Sequence, residues 1–351
     1  MANVNVGGIA IGPAEPVRII AELGICHQGN LDLAKEMVWV SAQARADFIK
    51  FEIYQLDTAL SKPYRKNATI SYETAHGSVT ENLFEAFKKG HLSFEQGREL
   101  ISEIRKTRIP FFATACSVEE VDFLHQEGAC AVKLSSGEID HYPLIHYVAK
   151  LQMPLFIDTA KTFLWEIVRA VEEFFMHGGK DIIVMINPPG YPAPPDTIDL
   201  KRIAAIMDFL KVPVGFSCHS PGRNVIMAAI GFGACIIEKP ISPDKTLPCI
   251  EYLFSENMTD YKDFIDSITY ISKARGQVGR IWLRNEMEEQ LLHRHSIVAK
   301  HSLRRGHQLT QNDICIARPG FGIRPEYINL VINRTLKRDF NEGEVITWDD
   351  I

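Results

Sequence analysis

The sequence lacks the marks of a membrane, secreted or disulfide-stabilised protein. No apolar run approaches the roughly 20 residues of a membrane span. The N-terminus has neither the basic start nor the apolar core of a signal peptide. The seven cysteines form no C-x-x-C pair and no zinc-finger spacing. We therefore expect a cytoplasmic protein whose cysteines stay reduced and that has no membrane partner.

An excess of basic residues is also missing, since the formal net charge is −6. No global positive field would recruit nucleic acid or acidic lipids, so neither is an expected partner. With 46% hydrophobic and 23% charged residues, the composition is that of an ordinary globular protein. Because the net charge is negative, an anionic substrate would have to be held by individual lysines and arginines at the site.

Short apolar, β-branched runs alternate along the chain with segments of helical period. Runs of this kind are typical of parallel strands that are buried on both faces. About eight such units over roughly 250 residues favour a (β/α)₈ TIM barrel. The runs are RIIAELGI (18–25), DFIKFEIY (47–54), PFFATAC (110–116), AVKLSSGE (131–138), PLFIDTA (154–160), IIVMIN (182–187), VPVGFSCH (212–219) and ACIIEKPI (234–241).

An open, doubly wound α/β sheet is the rival architecture. Its dinucleotide-binding form loses support because no G-x-G-x-x-G follows a strand. The polar segment 55–94 interrupts the alternation and predicts a long insertion after the second strand, on the face where barrels carry their active sites.

The pattern changes after residue 275. We predict a barrel domain over 1–275, a charged linker with a helix over 276–292, and a small β-rich domain over 293–351. The last segment has only about 60 residues, a length at which a single core is marginal, so we expect it to dock on the barrel.

Polar side chains occur at the predicted carboxyl ends of the strands, where barrels place their chemistry. Lys50, Lys133 and Lys239 lie on three different strands inside apolar runs. Convergent lysines with nearby serines and threonines indicate a site for phosphate or carboxylate, although each lysine could instead form a structural ion pair with a glutamate. His219 could likewise be a structural hydrogen-bonded group. It cannot easily form a nucleophilic dyad with Cys218, because neighbouring strand residues face opposite ways.

The ordered set of motifs resembles the sialic acid synthase family, which includes N-acetylneuraminate synthases and their legionaminic and pseudaminic acid relatives. The tail resembles that family's antifreeze-like SAF domain, which is β-clip-like. The motifs cover residues 18–340 and read IIAELGICHQGNLDLAKEM, ADFIKFEIY, PFFATACSVEEVDFL, VKLSSGEIDHYPLI, YPAPPDTIDL, VPVGFSCHSPG, ACIIEKPISPDK, SIVAKHSLRRG and ARPGFGI.

The resemblance implies condensation of phosphoenolpyruvate with the open-chain aldehyde of a sugar such as N-acetylmannosamine. Carbon 3 of phosphoenolpyruvate attacks the aldehyde, water adds to carbon 2, and phosphate leaves with cleavage of the C–O bond. The product is a nonulosonic, 2-keto-3-deoxy acid. A divalent cation, Mn²⁺ or Mg²⁺, serves the family. A domain-swapped homodimer, in which the SAF lid brings Arg318 to the partner's barrel, is also implied.

The resemblance assigns roles to individual residues of this chain. Glu22, Glu138 and His219 would be catalytic. His219 would also be the metal ligand. The residues implied for phosphoenolpyruvate are Lys50, Thr114, Lys133, Ser136 and Ser217, and those implied for the sugar are Glu52, Tyr191, Glu251 and Arg318.

The departures from the family pattern fall on the metal and sugar positions. The second metal-binding histidine is replaced by Pro240, which has no ligand atom. Asp158 replaces a serine, and Glu52 replaces a glutamine. The asparagine expected after the sixth strand is replaced by Pro189, with Asn187 nearby. A rebuilt metal site could draw on Asp158, Glu52, Glu251 or His27.

Three interpretations remain open from the sequence. The first is an active synthase with a different sugar and a weakened or rebuilt metal site. The second is a metal-independent synthase with a different acceptor. The third is a non-catalytic paralogue that keeps the barrel and binds a ligand.

Overall fold

The computed structural model describes residues 3–53, 55–243, 249–276 and 284–351. The chain divides into two compact units, residues 1–276 and 277–351. Part of the linker predicted over 276–292 and the end of the S-P-D-K motif lie outside the described residues. The limits proposed for the linker therefore stay a prediction.

Eight parallel strands of the first unit close into a barrel, so the predicted (β/α)₈ fold is confirmed. Each strand pairs with the next along the chain, and the last pairs with the first. The strands are β1 (Arg18–Glu22), β2 (Phe48–Glu52), β3 (Phe111–Thr114), β4 (Val132–Leu134), β5 (Leu155–Asp158), β6 (Ile182–Ile186), β7 (Val214–Ser217) and β8 (Ile236–Ser242).

A helix follows each barrel strand, with an apolar face toward the barrel core. The helices are α1 (Leu31–Gln43), α2 (Phe94–Thr107), α3 (Val118–Gln126), α4 (Tyr142–Lys150), α5 (Leu164–Met176), α6 (Lys201–Leu210), α7 (Asn224–Gly231) and α8 (Tyr261–Ala274). Ser117 caps α3 as the sequence predicts, because its hydroxyl accepts from the Glu120 N–H at 3.3 Å.

Strand alternation separates two apolar clusters. One set of alternate residues packs against the helices, and the other fills the barrel interior. Inside, the rings of Phe112 and Phe156 stack with centroids 4.7 Å apart, and Phe48 meets Phe112 edge-on at 6.1 Å. An N-terminal hairpin, Val4–Val6 and Ile9–Ile11, contributes to the same cluster. The interior is therefore a packed core, and ligands can enter only above this aromatic layer.

The predicted insertion after β2 contains short elements of its own. These are the helices Leu56–Ala59, Lys62–Asn67 and Leu83–Lys88 and the antiparallel hairpin Thr69–Thr74 with Gly77–Asn82. The Glu73 N–H donates to the Tyr191 carbonyl at 3.0 Å. The insertion is thereby joined to the loop that follows β6.

The second unit has a helix, α9 (Arg284–His293), and an antiparallel pair, β9 (Ser296–Ala299) with β10 (Ile314–Ala317). The described part of this unit also contains a short helix, Ile328–Val331, two 3₁₀ turns and three isolated bridges. Its buried residues form a cluster of their own around Ile297, Leu309 and Phe340. Much of the described part of this unit is turn rather than strand.

None of the helices in the described residues has the length and apolar character that crossing a membrane would require.

Candidate active site

A cavity of about 360 Å³ opens at the carboxyl ends of the barrel strands. This volume is within the range of small-molecule sites. Eleven of the twelve residues implied by the family resemblance line it, and only Arg318 does not. They are Glu22, Lys50, Glu52, Thr114, Lys133, Ser136, Glu138, Tyr191, Ser217, His219 and Glu251.

Lys50 is buried among carboxylates at the floor of the cavity, with 1% of its surface exposed. Its ammonium group donates to Glu22, to Glu52 Oε1 at 2.9 Å and to Glu238 Oε1 at 3.3 Å. The pKa of Lys50 is raised well above its usual value, because these carboxylates outweigh the opposing effect of burial. Lys50 therefore carries a fixed positive charge.

Lys133 is held in the same way two strands further on, on β4. Its ammonium group contacts Asp158 Oδ2 at 3.1 Å and Glu238 Oε1 at 2.5 Å. Burial lowers the pKa of Lys133, but Asp158 and Glu238 more than compensate, so the net shift is upward. The sequence left open a structural ion pair as the alternative role of each lysine. Lys50 and Lys133 do form such ion pairs, and both also line the cavity.

Glu238 connects both lysines, and the sequence reasoning did not place it in the site. Its Oε1 accepts from Lys50, from Lys133 and from the Ser217 hydroxyl at 3.0 Å. Burial raises its pKa, but the two lysines lower it to about 2. Glu238 is two residues before Pro240 on β8, so its inward direction could have been read from strand parity.

The interpretation of Lys239 as a third converging lysine is wrong. Its ammonium group donates to the carbonyls of Ser220 at 2.7 Å and Gly222 at 3.3 Å. Lys239 alternates with Glu238 along β8 and therefore faces away from the barrel interior. Its contacts hold the loop after β7.

Two further carboxyl groups have raised pKa values because they are buried. Desolvation raises the pKa of Glu22 to about 7, although Lys50 opposes the shift. Desolvation also raises the pKa of Glu138, which accepts a hydrogen bond from the Ser135 hydroxyl. Glu22 can therefore hold or release a proton near neutral pH, as a general acid or base must, and burial favours the protonated form of Glu138 in the same direction.

Glu251 enters the cavity from the loop after β8 and is fixed by β1. Its Oε2 accepts from the Ile25 N–H at 3.0 Å and lies 3.4 Å from Cys26 Sγ. Burial raises its pKa well above the usual value. Gly24 permits this approach, because its φ is +51° and a Cβ there would lie 2.2 Å from Glu251 Oε2.

His219 lies after β7 beside two aromatic rings. Its ring centroid is 5.1 Å from that of Tyr191 and 4.9 Å from that of Phe254. Desolvation, followed by the charge of Lys133, lowers its pKa to about 3. The imidazole is therefore neutral at physiological pH, the form in which histidine binds metals.

The donor atoms at the cavity suit a hard, oxygen-binding cation better than a two-histidine site. Pro240 contributes no donor, so His219 has no histidine partner on β8. Among the described residues that line the cavity, the buried oxygens without a hydrogen-bond partner are instead Glu22 Oε2, Asp158 Oδ1, Asn187 Oδ1 and Glu238 Oε2. Carboxylate and amide oxygens are the ligands that Mg²⁺ and Mn²⁺ prefer.

Arg318 lies in the second unit, in the loop that follows β10, and its side chain is exposed.

Comparison with known proteins agrees with this architecture. Residues 37–280 match the NeuB family and residues 294–351 match the SAF domain. An N,N'-diacetyllegionaminic acid synthase of Legionella pneumophila is 31% identical, and the match covers 100% of this chain and 99% of that protein.

Two solved structures are similar over most of their length. The N-acetylneuraminic acid synthetase of Leptospira borgpetersenii is 26% identical with a TM-score of 0.73, covering 82% of this chain and 95% of that one. The spore coat polysaccharide biosynthesis protein SpsE of Bacillus subtilis is 28% identical with a TM-score of 0.66, covering 100% and 99%. The chain therefore belongs to the NeuB family, as a sialic acid synthase-like enzyme with a C-terminal SAF domain.

Proposed function

We propose that the enzyme condenses phosphoenolpyruvate with the open-chain aldehyde of an aldose or aminosugar, giving a nonulosonic 2-keto-3-deoxy acid and phosphate. The observation that carries this proposal is the pair of buried lysines, Lys50 and Lys133, above the aromatic floor of the barrel. Two fixed ammonium groups among serine and threonine hydroxyls suit a compact ligand with a phosphate and a carboxylate.

Phosphoenolpyruvate would be held by contacts that the ligand-free cavity already orients. Thr114 and Ser217 direct their hydroxyls at Glu52 and Glu238, at 3.1 Å and 3.0 Å. Ser136 lines the cavity at the end of β4. A bound anion would accept from these donors and from the two ammonium groups. Burial and ion pairs hold these donors in place, and a bound anion would share them with the carboxylates that accept from them in the free protein.

The bonding changes require one proton donor and one acceptor. The C2–C3 π electrons of phosphoenolpyruvate form the new bond to the aldehyde carbon, and the aldehyde oxygen takes a proton. Water adds to carbon 2 and loses a proton. The carbon 2 hydroxyl then becomes the ketone, and its remaining proton passes to the phosphate, which leaves with the bridging oxygen. Glu138, whose pKa is raised by burial, is the proposed donor to the aldehyde oxygen. Glu22, with a pKa of about 7, is the proposed acceptor from water.

The sugar would be held by further residues of the same cavity. Glu52, Glu251 and Tyr191 line it, and their polar groups suit sugar hydroxyls. The Legionella relative is a diacetyllegionaminic acid synthase, which favours an aminosugar acceptor here. Arg318 would complete the sugar site from the partner subunit of a domain-swapped dimer.

A divalent cation, Mn²⁺ or Mg²⁺, would polarise the aldehyde oxygen when bound. His219 and the buried oxygens around it offer donors for such an ion. A metal-independent synthase and a non-catalytic ligand-binding paralogue remain the alternatives.

The test is phosphate release from phosphoenolpyruvate across a panel of hexosamines and pentoses, with and without chelator. We expect release that depends on a sugar and that falls when the chelator is present. Full activity in chelator would favour the metal-independent alternative. Binding of phosphoenolpyruvate without release for any sugar would contradict the proposed activity and favour the ligand-binding paralogue.

A further inference from the structure

We propose that the divalent cation binds between β5 and β6, on Asp158 Oδ1 and Asn187 Oδ1, instead of between histidines of β7 and β8. This inference rests on the proposed function, since it locates the ion at the same cavity. The ion is of the Mg²⁺ or Mn²⁺ class. Its remaining ligands would be waters, a substrate oxygen and, from β7, His219.

The two oxygens are buried, belong to residues that line the cavity, and have no hydrogen-bond partner within the described parts of the chain. Asp158 is 5% exposed and Asn187 is 9% exposed. The Asn187 amide donates to Asp158 Oδ2 at 3.1 Å, and Lys133 contacts that same oxygen. These contacts fix both side chains and leave the two Oδ1 atoms unpartnered. Buried oxygens without donors are costly, and a cation would remove the cost.

The charges of the cavity also favour a cation. Among the described residues that line it, six are carboxylic acids and three are lysines. Burial raises the pKa of four of these acids, Glu22, Glu138, Asp158 and Glu251, and phosphoenolpyruvate would add up to three negative charges to the cavity. Either protons or a metal ion must balance the negative charges of the cavity, because burying an unpaired charge costs free energy. An ion on β5 and β6 would lie beside Lys133, where we place the phosphate or carboxylate of the substrate.

The chemistry of the ligand atoms indicates the class of ion. One carboxylate and one amide oxygen are typical of Mg²⁺, which usually keeps several waters and takes substrate oxygens as further ligands. Asp158 and Asn187 thus offer metal-ligand atoms, which Pro240 lacks. Their side chains come from adjacent parallel strands, and Asp158 pairs in register with Met185, two residues before Asn187.

A second cluster of potential metal ligands must be disrupted before the number of ions bound at the cavity is measured. His146, Glu173 and His177, on the outer surface of α4 and α5, bring potential ligand atoms within 4.8 Å of one another. Imidazole nitrogens would bind transition metals there. The experiment therefore uses His146→Gln as the parent variant, which leaves the barrel cavity unchanged.

The experiment is a Mn²⁺ titration followed by electron paramagnetic resonance, with no substrate present. In the parent we expect one tight ion per chain. Asp158→Ser and Asn187→Ala should each weaken Mn²⁺ binding about tenfold or more. Glu251→Gln, which removes a carboxyl group of the same cavity already held by Ile25 N–H, should change binding less than about twofold. Circular dichroism confirms folding, and Asn187→Ala tests the site if Asp158→Ser misfolds.

Equal Mn²⁺ affinity in the parent and in both variants would overturn the assignment, as would a parent that binds no ion. The proposed activity is measured separately. Sugar-dependent phosphate release in chelator, together with absent Mn²⁺ binding, would remove this metal site and leave the synthase. Mn²⁺ bound at Asp158 without turnover for any sugar would remove the synthase and leave the metal site.

Discussion

Lys133 sits between two carboxylates at the cavity floor, a placement that is both structural and suited to binding an anion. In the free protein its charge is balanced by Asp158 and Glu238. A bound phosphate or carboxylate would share that charge. The function therefore depends on how these ion pairs rearrange, and single substitutions can measure it.

Lys133→Met should weaken phosphoenolpyruvate binding by about 2 kcal/mol or more, roughly thirtyfold, because part of a buried anion loses its counter-charge. Isothermal titration measures the affinity. Lys150→Met, at an exposed position on α4, is the control and should bind like the unaltered protein. Unchanged affinity in folded Lys133→Met would disprove the anion site.

Glu22 should make the stability of the barrel depend on pH. Its pKa is about 7 in the folded protein against 4.5 for a free glutamate, so the folded state binds more protons between these values. Stability from this group should fall as the pH rises from about 4.5 to about 7. The measurement compares unfolding free energies of the unaltered protein and Glu22→Gln over this range. Parallel curves would show that Glu22 does not titrate there.

At the scale of elements, one side chain joins two of the loops that build the cavity. Glu120, buried at the start of α3, accepts from the N–H groups of Gln55 at 2.5 Å, Cys116 at 2.5 Å and Ser117 at 3.2 Å. The loops after β2 and β3 are thereby held to one carboxylate.

Glu120→Ala should lower the unfolding free energy by about 3 kcal/mol, since three backbone N–H groups lose their acceptor. Thermal or denaturant unfolding provides the value. The neighbouring Glu119 is exposed, and Glu119→Ala should change stability by less than about 0.5 kcal/mol. Equal effects of the two substitutions would mean that the loops do not depend on this contact.

The sequence predicted the elements better than the directions of individual side chains. Eight apolar runs identified the eight barrel strands, because burial on both faces leaves a continuous pattern. The outward direction of the Lys239 side chain was missed. Its neighbour Glu238 faces inward, and strand parity puts the two side chains on opposite faces. The unpartnered oxygens of Asp158 and Asn187 could not be found from sequence, since they depend on which contacts each side chain makes.

At the scale of the whole molecule, each unit has its own apolar cluster. The lid function of the second unit, the role of its exposed Arg318 and the swapped dimer remain proposals. The cytoplasmic location is a proposal as well. The role of Arg318 requires a test that distinguishes a contribution to the partner subunit's barrel from a contribution to the barrel of its own chain.

Complementation between two inactive variants provides that test. Co-expression of Lys133→Met with Arg318→Ala should restore activity if Arg318 serves the partner's barrel. Random pairing makes half of the dimers mixed, with one complete site of two, so about one quarter of full activity is expected. No recovery in confirmed mixed dimers would place the action of Arg318 within its own chain, or remove its role.

The central claim is tested most directly by following the bridging oxygen of phosphoenolpyruvate. The substrate carries ¹⁸O between carbon 2 and phosphorus and is incubated with the enzyme and a reactive aminosugar. Phosphorus NMR then reports the isotope shift of the released phosphate. We predict that the label appears in the phosphate and that release requires the sugar, because water adds to carbon 2 and the C–O bond breaks. Label retained on carbon, or phosphate release without a sugar, would contradict the account.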